Sequence, residues 1–371
     1  MYDKALYISK VLNNIAENLD ISDTKFLDAK NKYEAVGNWL GKEESLLIKY
    51  NPEIYPQGSF RLGTVVKPIG KDEYDIDLVC FLNNLNQKNI TQYELKKIVG
   101  DRLKENEIYK NILKKEGRRC WTLEYANEFH MDILPSIADE QARMSDFPFQ
   151  QEAILITDKE KMKNNEIDWP KSNPKGYTDW FFERQVKVSK KIKKSIAENT
   201  KVNIEDVPDY KVKTPLQRAI QILKRHRDIF FSDKENKPIS IIITTLSANL
   251  YSGQDDVFNT IYDILLGINE EILIKDGKYC IPNPVNDSEN FADKWNENLE
   301  LPKNFLNWLN DAKDIFLNKI IQKEDFEEIN TTIRKSLDFS PIEKVIQPVN
   351  SKPYYVKKND LLNNKPWQNE K

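Results

Sequence analysis

Apolar residues recur at helical spacing from residue 3 to about 48: Ala5, Ile8, Val11, Leu12, Ile15 and Leu19, then Phe26, Ala29, Tyr33, Val36, Trp39 and Leu40. This pattern predicts two helices, with Asp23 placed to cap the second. The run NPEIYPQGSFRLGTVVKPIGKDEYDIDLVCFL that follows is rich first in Gly and Pro and then in β-branched and aromatic residues, and reads as a turn and helix start leading into a strand. Helical spacing returns over 91–115. RRCWTLEYANEFHMDILPSI then predicts two strands joined by a turn at Ala126-Asn127-Glu128. From about 136 to 176 the chain reads as an irregular connection holding one short strand, Ala153 to Thr157. Beyond it helices are expected at 178–198, 215–231, 239–252, 256–269, 303–318 and 324–337. Pro238 favours a helix over a strand for Ile241-Ile242-Ile243. The last segment, SKPYYVKKNDLLNNKPWQNEK, lacks periodicity and reads as an exposed tail.

These elements make the chain α+β: a mixed α and β core at 1–175, a mostly helical lobe at 176–350 and a tail at 351–371. Composition narrows the chemistry. Of 371 residues, 39% are hydrophobic and 11% aromatic, enough for a sizeable core. Three cysteines, Cys80, Cys120 and Cys280, and two histidines, His130 and His226, argue against a disulfide framework or a cysteine-rich zinc site. The start MYDKALYISKVLNN has no signal-peptide layout and no long apolar run appears, so a soluble cytoplasmic protein without membrane contact is expected. A formal charge of −3 leaves no global attraction for nucleic acid. The lysines from Lys187 to Lys194 and the basic run Lys224 to Arg227 are read first as solvated helix faces, although the arginines of the second run could also line a cleft or meet a partner.

The informative feature is acidic. In Tyr74-Asp75-Ile76-Asp77-Leu78 the two aspartates share one face of a strand, while Ile76, Leu78, Cys80 and Leu82 take the other. Asp132 interrupts a second apolar strand, on the face of His130 and opposite Phe129, Met131 and Ile133. Carboxylates a few Å apart repel one another unless a cation lies between them. Hard divalent ions, Mg²⁺ or Mn²⁺, accept such all-oxygen ligands, and three carboxylates can hold two of them. Sixteen residues before Asp75 stands Gly58-Ser59. Glycine there lets the backbone approach a phosphate, and a helix start offers free N–H groups to its oxygens. Arg61 is near enough in sequence to touch the same phosphate, although a surface role fits it equally.

The set of GS, then DxD, then a lone Asp on a following strand resembles the active site of the DNA polymerase β-like nucleotidyltransferases. PQGSFRLGTVV, EYDIDLVC, HMDILPS, NPKGYTDWF and TPLQRAIQILKRHRD look more specifically like the bacterial cyclic-oligonucleotide synthases related to cyclic GMP-AMP synthase and the DncV-type enzymes, which act in anti-phage signalling (CBASS). The resemblance implies a polymerase β-like core and a helical second lobe with a central cleft between them. It implies that Asp75, Asp77 and Asp132 hold two Mg²⁺ ions, that Gly58 and Ser59 bind phosphate and that Gln57 contacts the nucleotide. Lys224 and Ser247 are the positional candidates for a lysine and a serine that relatives place on the triphosphate. ATP, GTP or other nucleoside triphosphates are the implied substrates. Relatives also work with HORMA-like or ubiquitin-transfer-like partners. The zinc insertion of the animal enzyme is absent, so zinc-dependent DNA sensing is not implied.

The expected activity is the joining of nucleoside triphosphates into a cyclic di- or trinucleotide. Two alternatives stay open: transfer of a nucleotide to an RNA end or a protein, and a non-catalytic nucleotide sensor. Isolated acidic pairs usually cap turns or coat surfaces, and it is the placement of all three in apolar strands that sets these apart. His130 reads as hydrogen-bonded structure beside Asp132. Tyr177, Trp180 and Phe181 lie at helical spacing, where packing is the default.

Overall fold

The protein is described from a computed structural model that covers residues 2–339 except 71–72, 127, 165–167 and 208. The tail expected at 351–371, the end of the 176–350 lobe and Asn127 of the expected turn lie outside the described residues.

Two helices, α1 (Tyr2–Asn18) and α2 (Asp23–Leu40), open the chain, the second capped by Ser22 in place of the expected Asp23. Strand β1 (Pro52–Gln57) runs into a single helical turn, α3 (Gly58–Leu62), and then comes β2 (Tyr74–Leu82). Helices α4 (Gln92–Lys104) and α5 (Glu107–Ile112) lead to the hairpin of β3 (Trp121–Tyr125) and β4 (Phe129–Ala138). Strand β5 (Ile154–Ile156), helix α6 (Lys159–Lys163) and strand β6 (Lys171–Ser172) complete a six-stranded mixed sheet. Its order is β1-β2-β4-β5-β6, with β3 alongside the first half of β4; β2 and β4 run parallel and the other pairs antiparallel.

Strand β1 was not expected, because Pro52 and Pro56 read as turn residues. It lies at the edge of the sheet, where a proline's missing N–H costs no ladder bond. The single helix expected at 178–198 is two, α7 (Pro174–Glu183) and α8 (Val186–Thr200), broken at the buried Gln185. Helices α9 (Pro215–Phe230), α10 (Ser240–Leu250) and α11 (Val257–Gly267) follow as the periodicity predicts. Two small hairpins were missed, β7 (Leu273–Lys275) with β8 (Lys278–Cys280) and β9 (Pro282–Asn283) with β10 (Asn286–Asn290). Helices α12 (Glu300–Lys313), α13 (Ile320–Gln322) and α14 (Phe326–Ser336) end the described chain, with a π-helical turn at Asp314–Lys319. No described helix is long and apolar enough to cross a membrane.

One face of the sheet packs Ile76, Leu78, Cys80, Leu82, Met131 and Ile133 against α2 and α4. A separate cluster joins α9, α10, α11 and α12. Helix α1, which the sequence reading grouped with the sheet, belongs to this second cluster: Ile8, Val11, Leu12, Ile15 and Leu19 are at most 1% exposed and pack with the α9 and α11 side chains. The other sheet face is divided. Val79, Phe81, Leu134, Ala138, Ile154 and Ile156 make a small apolar patch, and the polar residues of the candidate site occupy the rest.

Candidate active site

Register brings the sequence-predicted residues together. Gln57 stands opposite Asp77, Asp77 opposite Asp132, and Asp132 opposite Thr122, so four polar residues from β1, β2, β4 and β3 form one row across the sheet. A second row lies beside it: Asp75 opposite His130, and His130 opposite Glu124. Period-two alternation sends both rows to the same face, because Ile76, Met131 and Leu123 between them are fully buried on the other.

The first row concentrates like charge. Burial, then the Asp132 and Asp75 carboxylates, push the Asp77 pKa up to about 7, against the pull of Lys224. Asp75, at the outer end of β2, is raised in the same direction by desolvation and by Asp132, with His130 and Lys224 opposing. The Thr122 hydroxyl donates to Asp132 Oδ1, which orients that carboxylate but brings no charge. A divalent cation among these oxygens would reverse the repulsion, and an all-carboxylate donor set suits a hard ion. The donor chemistry of this face therefore fits divalent metal.

Gly58 is shaped for this neighbourhood. Its φ is +62°, in the left-handed region, and a Cβ there would run into Asp77 Oδ2. A side chain at position 58 would thus displace the carboxylate as well as strain the turn. Gln57 precedes it as the extended N-cap of α3, and Ser59, half-buried, begins the helical turn. Arg61 is exposed on α3 and lines a cavity between β1 and α7.

Sequence reasoning missed Glu73 and Glu124. They flank His130 with donor atoms within 4.8 Å of one another. His130 Nδ1 lies 3.2 Å from Glu73, and Lys114 Nζ lies 3.1 Å from His130 Nε2 and 2.8 Å from Glu124. His130 is thereby held from both ring nitrogens, Nδ1 facing Glu73 and Nε2 facing Lys114. His130 is thus the hydrogen-bonded structure expected of it, and it braces the row that carries Asp75. The signal was available, since Glu73 and Glu124 continue the alternation of β2 and β3 by two residues.

The basic run on α9 corrects the expectation of a solvated face. Lys224, Arg225, His226 and Arg227 are 2–6% exposed. Lys224, one nitrogen of Arg225 and the neighbouring amides meet main-chain carbonyls at and just after the end of α3, while Arg227 bonds Asp228, Pro238 O and Ser240. Lys213 donates to Gly63 O at 2.7 Å, Gln217 to Leu62 O at 2.8 Å, Gln221 to Val65 O at 2.8 Å and Lys224 to Thr64 O at 2.9 Å, and Arg225 reaches Lys67 O. Helix α9 thereby clasps the chain that leaves Gly58-Ser59. Burial, and then Arg227, lower the Lys224 pKa to about 7, with Asp228, Asp77 and Asp75 opposing. His226 accepts from Trp308 Nε1 at 3.0 Å and is structural. Ser247 lies fully buried within α10, and its hydroxyl has no hydrogen-bond partner among the described residues. Lys187, Lys190, Lys191 and Lys194 on α8 are exposed, as the reading of a solvated face predicts. Tyr177 and Phe181 are buried in the helical cluster, with the Tyr177 hydroxyl 2.8 Å from Thr245 Oγ1.

Residues 52–135, which hold both rows and α3, match the family model described as cyclic GMP-AMP synthase DncV-like, nucleotidyltransferase domain. The chain is 36% identical over 313 residues to the c-di-GMP synthase of Roseivirga ehrenbergii, covering 82% of this chain and 77% of that one. The chain belongs to the bacterial CD-NTases. Among other CD-NTases, the cyclic dinucleotide synthase CdnG of Bradyrhizobium diazoefficiens is 22% identical over 78% of this chain and 70% of its own. The structure of that CdnG in complex with GTP covers 89% of this chain and 98% of its own with a TM-score of 0.65 at 20% identity. An E. coli CdnC:HORMA-deltaN complex gives a TM-score of 0.62 at 15% identity, over 90% of this chain and 98% of that one. As a CD-NTase the chain is a nucleotidyltransferase, and the mixed sheet with flanking helices is the fold of these neighbours.

Proposed function

We propose that this CD-NTase joins two nucleoside triphosphates, GTP foremost, into a cyclic dinucleotide that serves as a second messenger in anti-phage defence, with pyrophosphate released at each bond. Asp75, Asp77 and Asp132 would hold Mg²⁺, which would supply charge to offset the phosphates and ease ionisation of the attacking hydroxyl. The ribose hydroxyl oxygen of one nucleotide forms a bond to the α-phosphorus of the other as the bond to pyrophosphate breaks. Asp132, oriented by Thr122, aligns that hydroxyl. In this reading the backbone N–H groups of Gly58 and Ser59 take the phosphates, with Gln57 next to them, and Lys224 adds a positive charge to the same triphosphate. Ser247 enters this reading only through the resemblance. The linear product then turns in the same site and closes.

A single observation carries the reading: Asp77, held near pH 7 by burial and two like charges, faces a glycine whose missing side chain leaves room for it. A sensor that only bound nucleotide would gain nothing from three carboxylates that repel phosphate. The name of the Roseivirga relative supports guanine as the base. The CdnC complex supports a HORMA-like regulatory partner, and a reaction that consumes nucleoside triphosphates is consistent with a cytoplasmic enzyme. We also propose a functional division into a catalytic core to about residue 175 and a helical lobe after it, with α1 bridging back to the helices.

Incubating the full chain with labelled ATP, GTP, CTP and UTP and Mg²⁺, followed by phosphatase, tests this. A small phosphatase-resistant product is expected. Label found only on an RNA or protein favours end transfer, and triphosphate binding without turnover favours a sensor.

A further inference from the structure

A cavity of about 390 Å³ lies between β1 and α7, in the size range of a ligand pocket. It adjoins the carboxylate rows. Tyr55 lines it and lies two residues from Gln57 on the same face of β1, and Gln57 stands opposite Asp77. A group held at Tyr55 is therefore about 7 Å from the level of Asp77.

The charged groups in this cavity fall into two kinds. Glu53 and Glu152 face Lys175 at 2.8 and 3.9 Å, and Lys175 covers the Tyr55 ring at 4.7 Å. That network is closed. Arg61 from α3 and Asp179 from α7 line the same cavity, both exposed, and neither has an ion pair or side-chain hydrogen bond among the described residues. Opposite charges that share a cavity without pairing suit a ligand with acceptors on one edge and donors on another. The Tyr55 hydroxyl adds a buried polar group with no partner among the described residues.

We propose that this cavity receives the guanine base of a substrate nucleotide, with Arg61 donating to O6 and N7 and Asp179 accepting from N1–H and the exocyclic amine. The inference rests on the synthase reading and names its base-selecting residues. Guanine presents two adjacent acceptors that match a guanidinium fork. Its N1–H and amine form a pair of donors that match a carboxylate. Adenine carries a donor where guanine has O6 and no proton at N1, so it would leave both side chains poorly paired. Arg61, which from the sequence fits a phosphate contact and a surface role equally, is in this proposal a specificity residue.

Calorimetry on the full chain with Mg²⁺ and non-hydrolysable GTP, ITP and ATP analogues tests the proposal. The GTP analogue is expected to bind about tenfold more tightly than the ITP analogue, which lacks the exocyclic amine. Asp179→Asn and Arg61→Gln should each weaken GTP binding by about ten- to a hundredfold and leave ATP binding within about twofold. Asp179→Asn should also erase the difference between GTP and ITP. Both side chains are exposed, so unchanged melting temperatures are expected. Variants that bind every triphosphate as the wild type does, or that lose GTP and ATP equally, overturn the base assignment while the synthase reading stands. A wild type that binds no triphosphate overturns both.

Discussion

The carboxylate row on the sheet and the basic stripe on α9 both concentrate charge, half-buried in the first and buried in the second, and they resolve it in opposite ways. Along α9, Gln217, Gln221 and Lys224 meet the Leu62, Val65 and Thr64 carbonyls, and Lys213 just before the helix meets Gly63 O, so these groups find their partners within the fold. On the sheet, Asp77 meets Asp75 and Asp132, and what the neighbouring strand β3 brings to the row is a threonine hydroxyl bonded to Asp132. Buried charge with internal partners is scaffold. Buried charge without them is where a ligand belongs, since isolated ionised groups in low dielectric are costly. Lys224 belongs to both regions: its ammonium is bonded to Thr64 O and also lies close enough to Asp77 and Asp75 to feel their charge.

The largest effect should come from the sheet. Asp77→Asn is expected to reduce product formation by about a thousandfold or more, and turnover retained within tenfold would remove the row from the chemistry. The same variant reports on charge. Because Asp77 is raised from 3.8 to about 7, its favourable contribution to stability is present below about pH 3.8 and lost as pH rises through about 7. In melting experiments without divalent ions, Asp77→Asn should therefore gain on the wild type as pH rises across that window. Added Mg²⁺ should stabilise the wild type and have little effect on the variant.

Next in size is Gly58→Ala. The left-handed backbone costs about 1–2 kcal/mol for a residue with a Cβ, and the new methyl would press on Asp77, so activity should fall at least about tenfold while most of the fold's stability remains. Lys224→Met probes the junction of the two regions. Triphosphate KM should rise about tenfold. Its pH signature runs opposite to that of Asp77: a lysine lowered from 10.5 to about 7 contributes stability above its ordinary pKa and loses it as pH falls through about 7. The variant should lack that slope between about pH 10 and 7. The smallest effect on chemistry is expected within the clasp. Gln221→Leu strands Val65 O and takes one of two donors from Asp20, which keeps its ion pair with Arg218, and should cost about 1–3 kcal/mol of stability, with KM rising a few-fold and kcat nearly unchanged. A larger loss in kcat than in stability would show that the clasp, too, acts in the reaction.

Much of this was legible because alternation and interruption are local signals. Asp75, Asp77 and Asp132 stand out where polar residues break apolar strands, and Gly58-Ser59 is a short motif. Register is not local. The pairing of Gln57 with Asp77 depends on β1, whose prolines disguise a sheet edge as a turn. The partners that make α9 a buried helix lie about 150 residues earlier in the chain and are main-chain atoms, which no side-chain pattern announces. A polar stripe at 217, 221 and 224, opening with the Thr214–Gln217 capping box, was the one readable hint that this face meets protein. Glu73 and Glu124 were passed over because exposed acids near strand ends are common, and only the cross-strand row with His130 gives them a place.

Mass spectrometry of phosphatase-treated reactions of the full chain with GTP and Mg²⁺, run beside Asp77→Asn at matched folded concentration, tests the central claim most directly. The account predicts a phosphatase-resistant cyclic dinucleotide of guanosine from the wild type and none from the variant. The same product from both proteins, or a wild type that modifies only a macromolecule, would contradict it.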